Sequence, residues 1–114
     1  MKYSNVVVAG GGVLGSQIAF QAAYCGFNVT IWLRSEGSIG RTQPKIDHLK
    51  QTYIEAIEKM AEDKNVWCAG LADEDTFDKE ECLKKVENAY TNLKLELDMA
   101  KAVADADLVI ESMA

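Results

Sequence analysis

The sequence predicts an α/β fold, a doubly wound parallel sheet carrying a helical insertion. Three observations predict it. The β-branched run Val6-Val7-Val8 meets the glycine cluster Gly10-Gly11-Gly12 and then a helical pattern. A second such run, Val29-Thr30-Ile31-Trp32, follows that helix at the distance of one strand–helix–strand unit. Two further strand-like runs, Leu93–Leu97 and Asp107–Glu111, alternate with helical segments to the end of the 114 residues.

In order, residues 4–9 read as the first strand and 13–25 as the first helix. Val13, Leu14, Ile18, Ala22 and Cys25 keep helical spacing along it. Gly26 is its C-terminal stop, and Phe27-Asn28 enters the second strand. Leu33 to Gly40 reads as a polar loop with two glycines. Thr42 and Pro44 mark the next helix start, because proline's missing N–H costs little in a first turn.

Ile46, Leu49, Tyr53, Ile57 and Met60 form the stripe of that helix. Asn65 to Gly70 breaks it, and a second helix runs from Asp75 or Thr76 to about Tyr90 on the stripe Leu83, Val86, Tyr90. The pair reads as a helical hairpin inserted at about 42–91. Leu93–Leu97 alternates with period two and is a half-buried strand. Asp98 caps a short helix through about Ala104, and Asp107–Glu111 reads as a buried parallel strand. The expected strand order is 3-2-1-4, a partial Rossmann-type sheet within one domain. Its ligand crevice lies above the carboxyl ends of strands 1 and 4.

Gly10, Gly12 and Gly15 fit the G-x-G-x-x-G spacing of a dinucleotide-binding turn. The first glycine permits the tight turn, the second admits a pyrophosphate to backbone, and the third lets helix pack on strand. The helix start presents free N–H groups and a positive dipole end. Gly10, Gly12, Val13, Leu14 and Gly15 are therefore the candidate cofactor-binding residues of this turn.

Bulk properties narrow the function classes. The net charge is −6 and no Lys/Arg block exists, which argues against nucleic acid and membrane surfaces as partners. There is no signal-peptide pattern and no apolar run of membrane-spanning length. Cys25, Cys68 and Cys82 are odd in number and widely spaced, so they read as free thiols of a reducing cytoplasm, with no metal framework.

With these residues laid out, the chain resembles the amino-terminal domain of the 3-hydroxyacyl-CoA dehydrogenases. Val8 to Gly15 followed by Ile18-Ala19 looks like that family's opening. The helical pair between strands 2 and 3 is typical of it. Leu95 to Val103 is similar to its third strand and following helix, and Ala104 to Glu111 to its fourth strand, which ends in a glutamate.

The resemblance implies a parent enzyme that moves hydride between a 3-hydroxyacyl-CoA and a nicotinamide cofactor. It places the catalytic histidine and its orienting glutamate beyond strand 4. The 114-residue chain alone is therefore expected to be truncated and inactive, and His48 to be an ordinary surface histidine. Glu111 matches the strand-4 glutamate near the nicotinamide half; a solvent-facing strand end is the competing reading. In the family the insertion also helps hold coenzyme A. Lys50 and Lys59 are candidates for that, with a solvated helix face the favoured alternative. Other readings are the cofactor domain of another β-hydroxyacid dehydrogenase or ketopantoate-like reductase, or a non-catalytic nucleotide-binding module.

One position departs from the pattern. The acid that bonds the adenosine ribose in NAD sites falls at Leu33, which cannot accept those bonds. Arg34 and Ser35 follow, and Arg41 is a second cation if the loop folds back. Arginine suits a 2′-phosphate, so NADP is favoured over NAD, while Glu36 keeps NAD as the alternative. Finally, strand 4 is expected to form an unblunted sheet edge, and residues 107–112 to mediate self-association.

Overall fold

The computed structural model describes residues 4–62 and 78–112. Their elements are β1 (Asn5–Ala9), α1 (Val13–Tyr24), β2 (Asn28–Trp32), α2 (Glu36–Glu62), α3 (Lys79–Asn92), β3 (Lys94–Glu96), α4 (Met99–Val103) and β4 (Leu108–Glu111). The strands form one parallel sheet in the order β3-β2-β1-β4. That is the predicted 3-2-1-4 order. It puts β1, the most apolar strand, between two neighbours, where Val6, Val7 and Val8 are buried.

α1 packs on the sheet through a face shifted from the one its apolar spacing suggested, with Ile18 and Ala22 of that stripe half-buried against the core. Gly15, Ser16, Ala19, Phe20, Ala23 and Tyr24 are buried, while Val13 and Leu14 are each 65% exposed and Cys25 is exposed. The reason is Gly15. A Cβ there would run into the Gly10 carbonyl oxygen and lie 2.8 Å from Ser112 Oγ. The residue without a side chain must face the strand, and this rotates positions 19 and 23 inward with it. Gly26 ends the helix with φ +102°, a left-handed conformation that favours glycine.

α2 begins at Glu36, not at Thr42, so the predicted Leu33–Gly40 loop shrinks to three residues. Ser35 is the missed start signal: its Oγ accepts from the Ser38 N–H at 3.3 Å, as an N-cap does. Gly37 and Gly40 lie inside the helix, and Pro44 sits in its interior, where it forgoes the bond to the carbonyl four residues back.

Asp78 caps α3 by accepting from the Glu80 and Glu81 amides. The predicted start at Asp75 or Thr76, the break at Asn65–Gly70 and Cys68 lie outside the described residues. The hairpin buries Ile46, Ile57 and Met60 with Cys82, Val86 and Ala89. The Tyr53 ring meets Phe20 edge-on at 4.7 Å and Tyr24 at 5.5 Å, which ties α2 to α1. Burial pushes the Tyr53 phenol up to about 12, and its hydroxyl donates to Gln21 Oε1 at 2.6 Å.

β3 is shorter than the predicted strand, and Asp98 caps α4 by accepting from the Lys101 amide. β4 departs from its predicted burial. Leu108 and Val109 are 42% and 51% exposed, because among the described residues β4 pairs with β1 alone and forms one edge of the sheet. Its entry is pinned by Asp107, whose Oδ2 accepts from the Ser4 and Asn5 amides at 2.9 and 2.8 Å. Those bonds hold the Asp107 carboxyl below the usual aspartate value. Among the described residues, no helix is long and apolar enough to cross a membrane.

Candidate functional site

The site is the turn between β1 and α1, and each glycine of it meets a different physical demand. Gly10 has φ +118°, which a side chain would strain. Its N–H donates to the Trp32 carbonyl at 3.0 Å, which fixes the turn over the end of β2. Gly12 faces open space: a Cβ there would meet nothing within 4 Å. Gly15 has no room, as described above, and lets α1 sit directly on the turn.

α1 starts at Val13, with the Ser16 N–H closing the first bond onto the Gly12 carbonyl at 2.9 Å. Gly12 supplies no side-chain cap, and no acid lies in the first turn. The other three helices among the described residues differ. Ser35, Asp78 and Asp98 cap α2, α3 and α4, and α2 and α3 also carry first-turn acids. The first amides of α1 therefore keep their positive end for an anion. The exposed Val13 and Leu14 side chains rise beside them.

Two groups flank the turn. On the β2 side, Leu33 follows the strand and is 2% exposed, lying below Gly11; a Cβ on Gly11 would be 2.6 Å from Leu33 Cδ2. Its N–H donates to the Glu96 carbonyl. The leucine is thus a core residue at the position where a ribose-binding acid would stand. Arg34 and Ser35 come next, both exposed. Arg41 donates to Ser38 Oγ at 3.0 Å, and Ser38 Oγ lies 3.2 Å from Ser35 Oγ. Arg41 therefore lies back over the first turn of α2, where its Nη1 is 3.3 Å from where a Gly37 Cβ would be. Two arginines and a helix N-terminus gather at this end, with the exposed Glu36 among them.

On the β4 side, Glu111 pairs in register with Ala9, the residue before Gly10. It is exposed at the carboxyl end of its strand. The sheet order puts Arg34 and Glu111 on opposite sides of the glycine turn, as the two halves of an extended ligand require.

His48 is exposed on α2 and lines a shallow apolar pocket with Val13, Gln17 and Pro44. Lys50 pairs with Glu87 at 3.2 Å and lies over the Tyr90 ring, so it serves the hairpin. Lys59 is exposed in the last part of α2.

Sequence reasoning missed one cluster. The Gly11 carbonyl oxygen accepts from Ser16 Oγ (3.2 Å), Thr42 Oγ1 (3.2 Å) and Lys45 Nζ (3.4 Å). Thr42 had read only as a helix start. Nothing in the spacing of residues 11 and 42 announces a contact that spans α1, β2 and the first turn of α2. Among the described residues, no group of acids, histidines and cysteines could hold a metal ion.

Comparisons with known proteins agree with this geometry. The family model described as "3-hydroxyacyl-CoA dehydrogenase, NAD binding domain" matches residues 5–114. No curated protein matches significantly. Among solved structures, a diketoreductase superposes with a TM-score of 0.73 at 33% identity, over 99% of this chain and 32% of its own. A 3-hydroxybutyryl-CoA dehydrogenase from Escherichia coli K12 gives 0.68 at 23% identity, over 100% of this chain and 19% of its own. An (S)-3-hydroxybutyryl-CoA dehydrogenase from Ralstonia eutropha gives 0.63 at 17% identity, over 98% and 31%. The two at lower identity speak for the fold alone, and the chain spans a third or less of all three. The match across almost the entire chain shows that it belongs to the NAD-binding domain family of the 3-hydroxyacyl-CoA dehydrogenases, a family of oxidoreductases.

Proposed function

We propose that this domain binds NADP in preference to NAD, with the pyrophosphate on the Gly12, Val13 and Leu14 amides. The observation that carries the reading is the uncapped start of α1 beside the open space at Gly12. Gly10 and Gly15 shape the turn. Leu33 leaves the ribose hydroxyls without an acid, and Arg34, with Arg41 behind it, offers bidentate donors to a 2′-phosphate. Ser35 gives its hydroxyl to the α2 cap and contributes by holding that helix end in place. Glu111 stands at the nicotinamide side. NAD is the second reading, favoured by Glu36 in the first turn of α2.

The parent protein, on this proposal, is an NAD(P)-dependent 3-hydroxyacyl-CoA dehydrogenase acting on an acyl-CoA. The cofactor supplies hydride chemistry and the domain positions it. A non-catalytic nucleotide-binding module is the competing class, and a 3-hydroxyacyl-CoA oxidation assay on the parent protein separates the two. A cytoplasmic location rests on Cys25 and Cys82 being free thiols.

Paired titrations with NADPH and NADH test the cofactor choice. A charge-assisted phosphate contact is worth about 1.5–3 kcal/mol, or roughly 10- to 150-fold in Kd. Arg34→Ala is expected to weaken NADPH by that order and NADH by less than about twofold. Equal losses for both cofactors would remove the NADP assignment. Self-association through the β4 edge is proposed on the exposed Leu108 and Val109. Sedimentation over a range of concentrations should show a dimer that Val109→Lys abolishes; a monomer at high micromolar concentration refutes it.

A further inference from the structure

We propose that Thr42, assisted by Lys45, is a positioning residue for the phosphate-binding peptide, so that α2 sets the affinity of the dinucleotide site. The inference rests on the reading that the Gly10–Gly15 turn takes the pyrophosphate. It begins with an unusual hydrogen bond. A threonine inside a helix ordinarily turns its hydroxyl onto the carbonyl of its own preceding turn. Thr42 instead donates to the Gly11 carbonyl, 31 residues away, at 3.2 Å.

The contact is buried and crowded. Thr42 is 2% exposed, and Ser16, the second hydroxyl on the same oxygen, is 1% exposed. A Cβ on Gly11 would run into Thr42 Oγ1 and come within 3.0 Å of its Cγ2. The turn is thus pressed against α2 at this carbonyl. Lys45 lies one turn further along α2 on the same face and adds an ammonium at 3.4 Å.

The consequence follows from the planarity of the peptide. Every peptide bond among the described residues is trans. In a trans peptide the C=O and the next N–H point in opposite directions. Holding the Gly11 carbonyl against α2 therefore aims the Gly12 N–H the other way, off α2. Donors on the carbonyl oxygen also polarise the peptide and strengthen that N–H as a donor, the more so when one of them is a cation. A glycine turn is otherwise free to rotate this peptide, because neither glycine has a side chain to resist it. The clamp removes that freedom before a ligand arrives, which is how preorganisation raises affinity. By linkage, a bound dinucleotide must tighten the docking of α2 by the same factor.

The test uses Thr42→Val, which removes the hydroxyl at nearly constant volume, and Thr42→Ser, which restores it. In the absence of ligand, Thr42→Val should move the Gly12 amide proton resonance upfield and Thr42→Ser should leave it near the parent's. In titrations, Thr42→Val should weaken NADPH about 5- to 10-fold and Thr42→Ser less than about twofold. Lys45→Met, at a half-buried position, should act in the same direction on both readouts, and it decides the matter if Thr42→Val does not fold. The proposal is overturned if Thr42→Val, or Lys45→Met in its place, keeps the parent's affinity. It is equally overturned if the serine variant loses as much as the valine variant. A parent chain with no affinity for NADPH would contradict the proposed function itself. A parent that binds, beside a valine variant that binds equally well, contradicts only the clamp.

Discussion

Gly12→Val is expected to abolish dinucleotide binding while leaving the fold in place. The backbone tolerates the change: Gly12 has φ −69° and extended geometry, open to any residue. Nothing lies within 4 Å of a Cβ there, so the valine meets no protein atom at that point. Gly12 is the N-cap of α1, and exchanging glycine for an apolar residue at such a position costs about 1 kcal/mol. That is a melting shift of a few degrees, roughly 5 °C for a domain of this size. The binding effect is of another order. The isopropyl group would stand in the open space over Gly12, where the proposed pyrophosphate lies, and losing two charge-assisted bonds costs on the order of 3–6 kcal/mol. NADPH fluorescence titration of the parent and the variant checks this. A variant that binds as the parent does would put the site elsewhere.

Gly15→Ala is the complementary substitution, expected to damage the fold. Its single methyl meets the Gly10 carbonyl oxygen, a backbone atom that cannot swing aside, and lies 2.8 Å from Ser112 Oγ. Either α1 retreats from β1 or the turn deforms. A retreat loosens the packing of Ala19, Phe20 and Ala23, all buried on that face. Overpacking of this kind costs about 1–3 kcal/mol, at times more. Domains have only about 5–15 kcal/mol in total. The melting midpoint should fall by roughly 10 °C or more, and NADPH affinity should fall with it because the α1 amides move. A thermal melt by circular dichroism reads the first effect. A midpoint within a few degrees of the parent's would mean that α1 does not sit on the turn as described. The pair separates two demands: openness at position 12 and closeness at position 15.

The glycine turn was legible in the sequence because backbone constraints act locally. Gly10, Gly12 and Gly15 sit where a left-handed turn, an open approach and a close contact are needed, and side chains are excluded for reasons confined to a few residues. Strand order was legible because right-handed, unknotted crossovers between parallel strands leave few topologies. What stayed hidden depends on neighbours distant in sequence. The apolar spacing of α1 suggested that Val13 and Leu14 face inward, and the demand of Gly15 turned them out. The apolar run of β4 reads as buried, yet Leu108 and Val109 are exposed at the edge position that the sequence also predicts. The early start of α2 was masked by Gly37 and Gly40, whose weak helix propensity the Ser35 cap and the packing of Ile39 and Thr42 override. The clamp on Gly11 joins residues from three elements and has no local signature at all.

The most direct measurement of the central claim is a titration of the chain with NADPH, followed residue by residue through its backbone amide resonances. Binding across the turn requires the Gly12, Val13 and Leu14 amides to shift together along one saturating curve. Arg34 and Ser35 should report the same affinity on one flank and Glu111 on the other. Shifts that leave residues 10–15 untouched, or that gather on another face of the sheet, would contradict it.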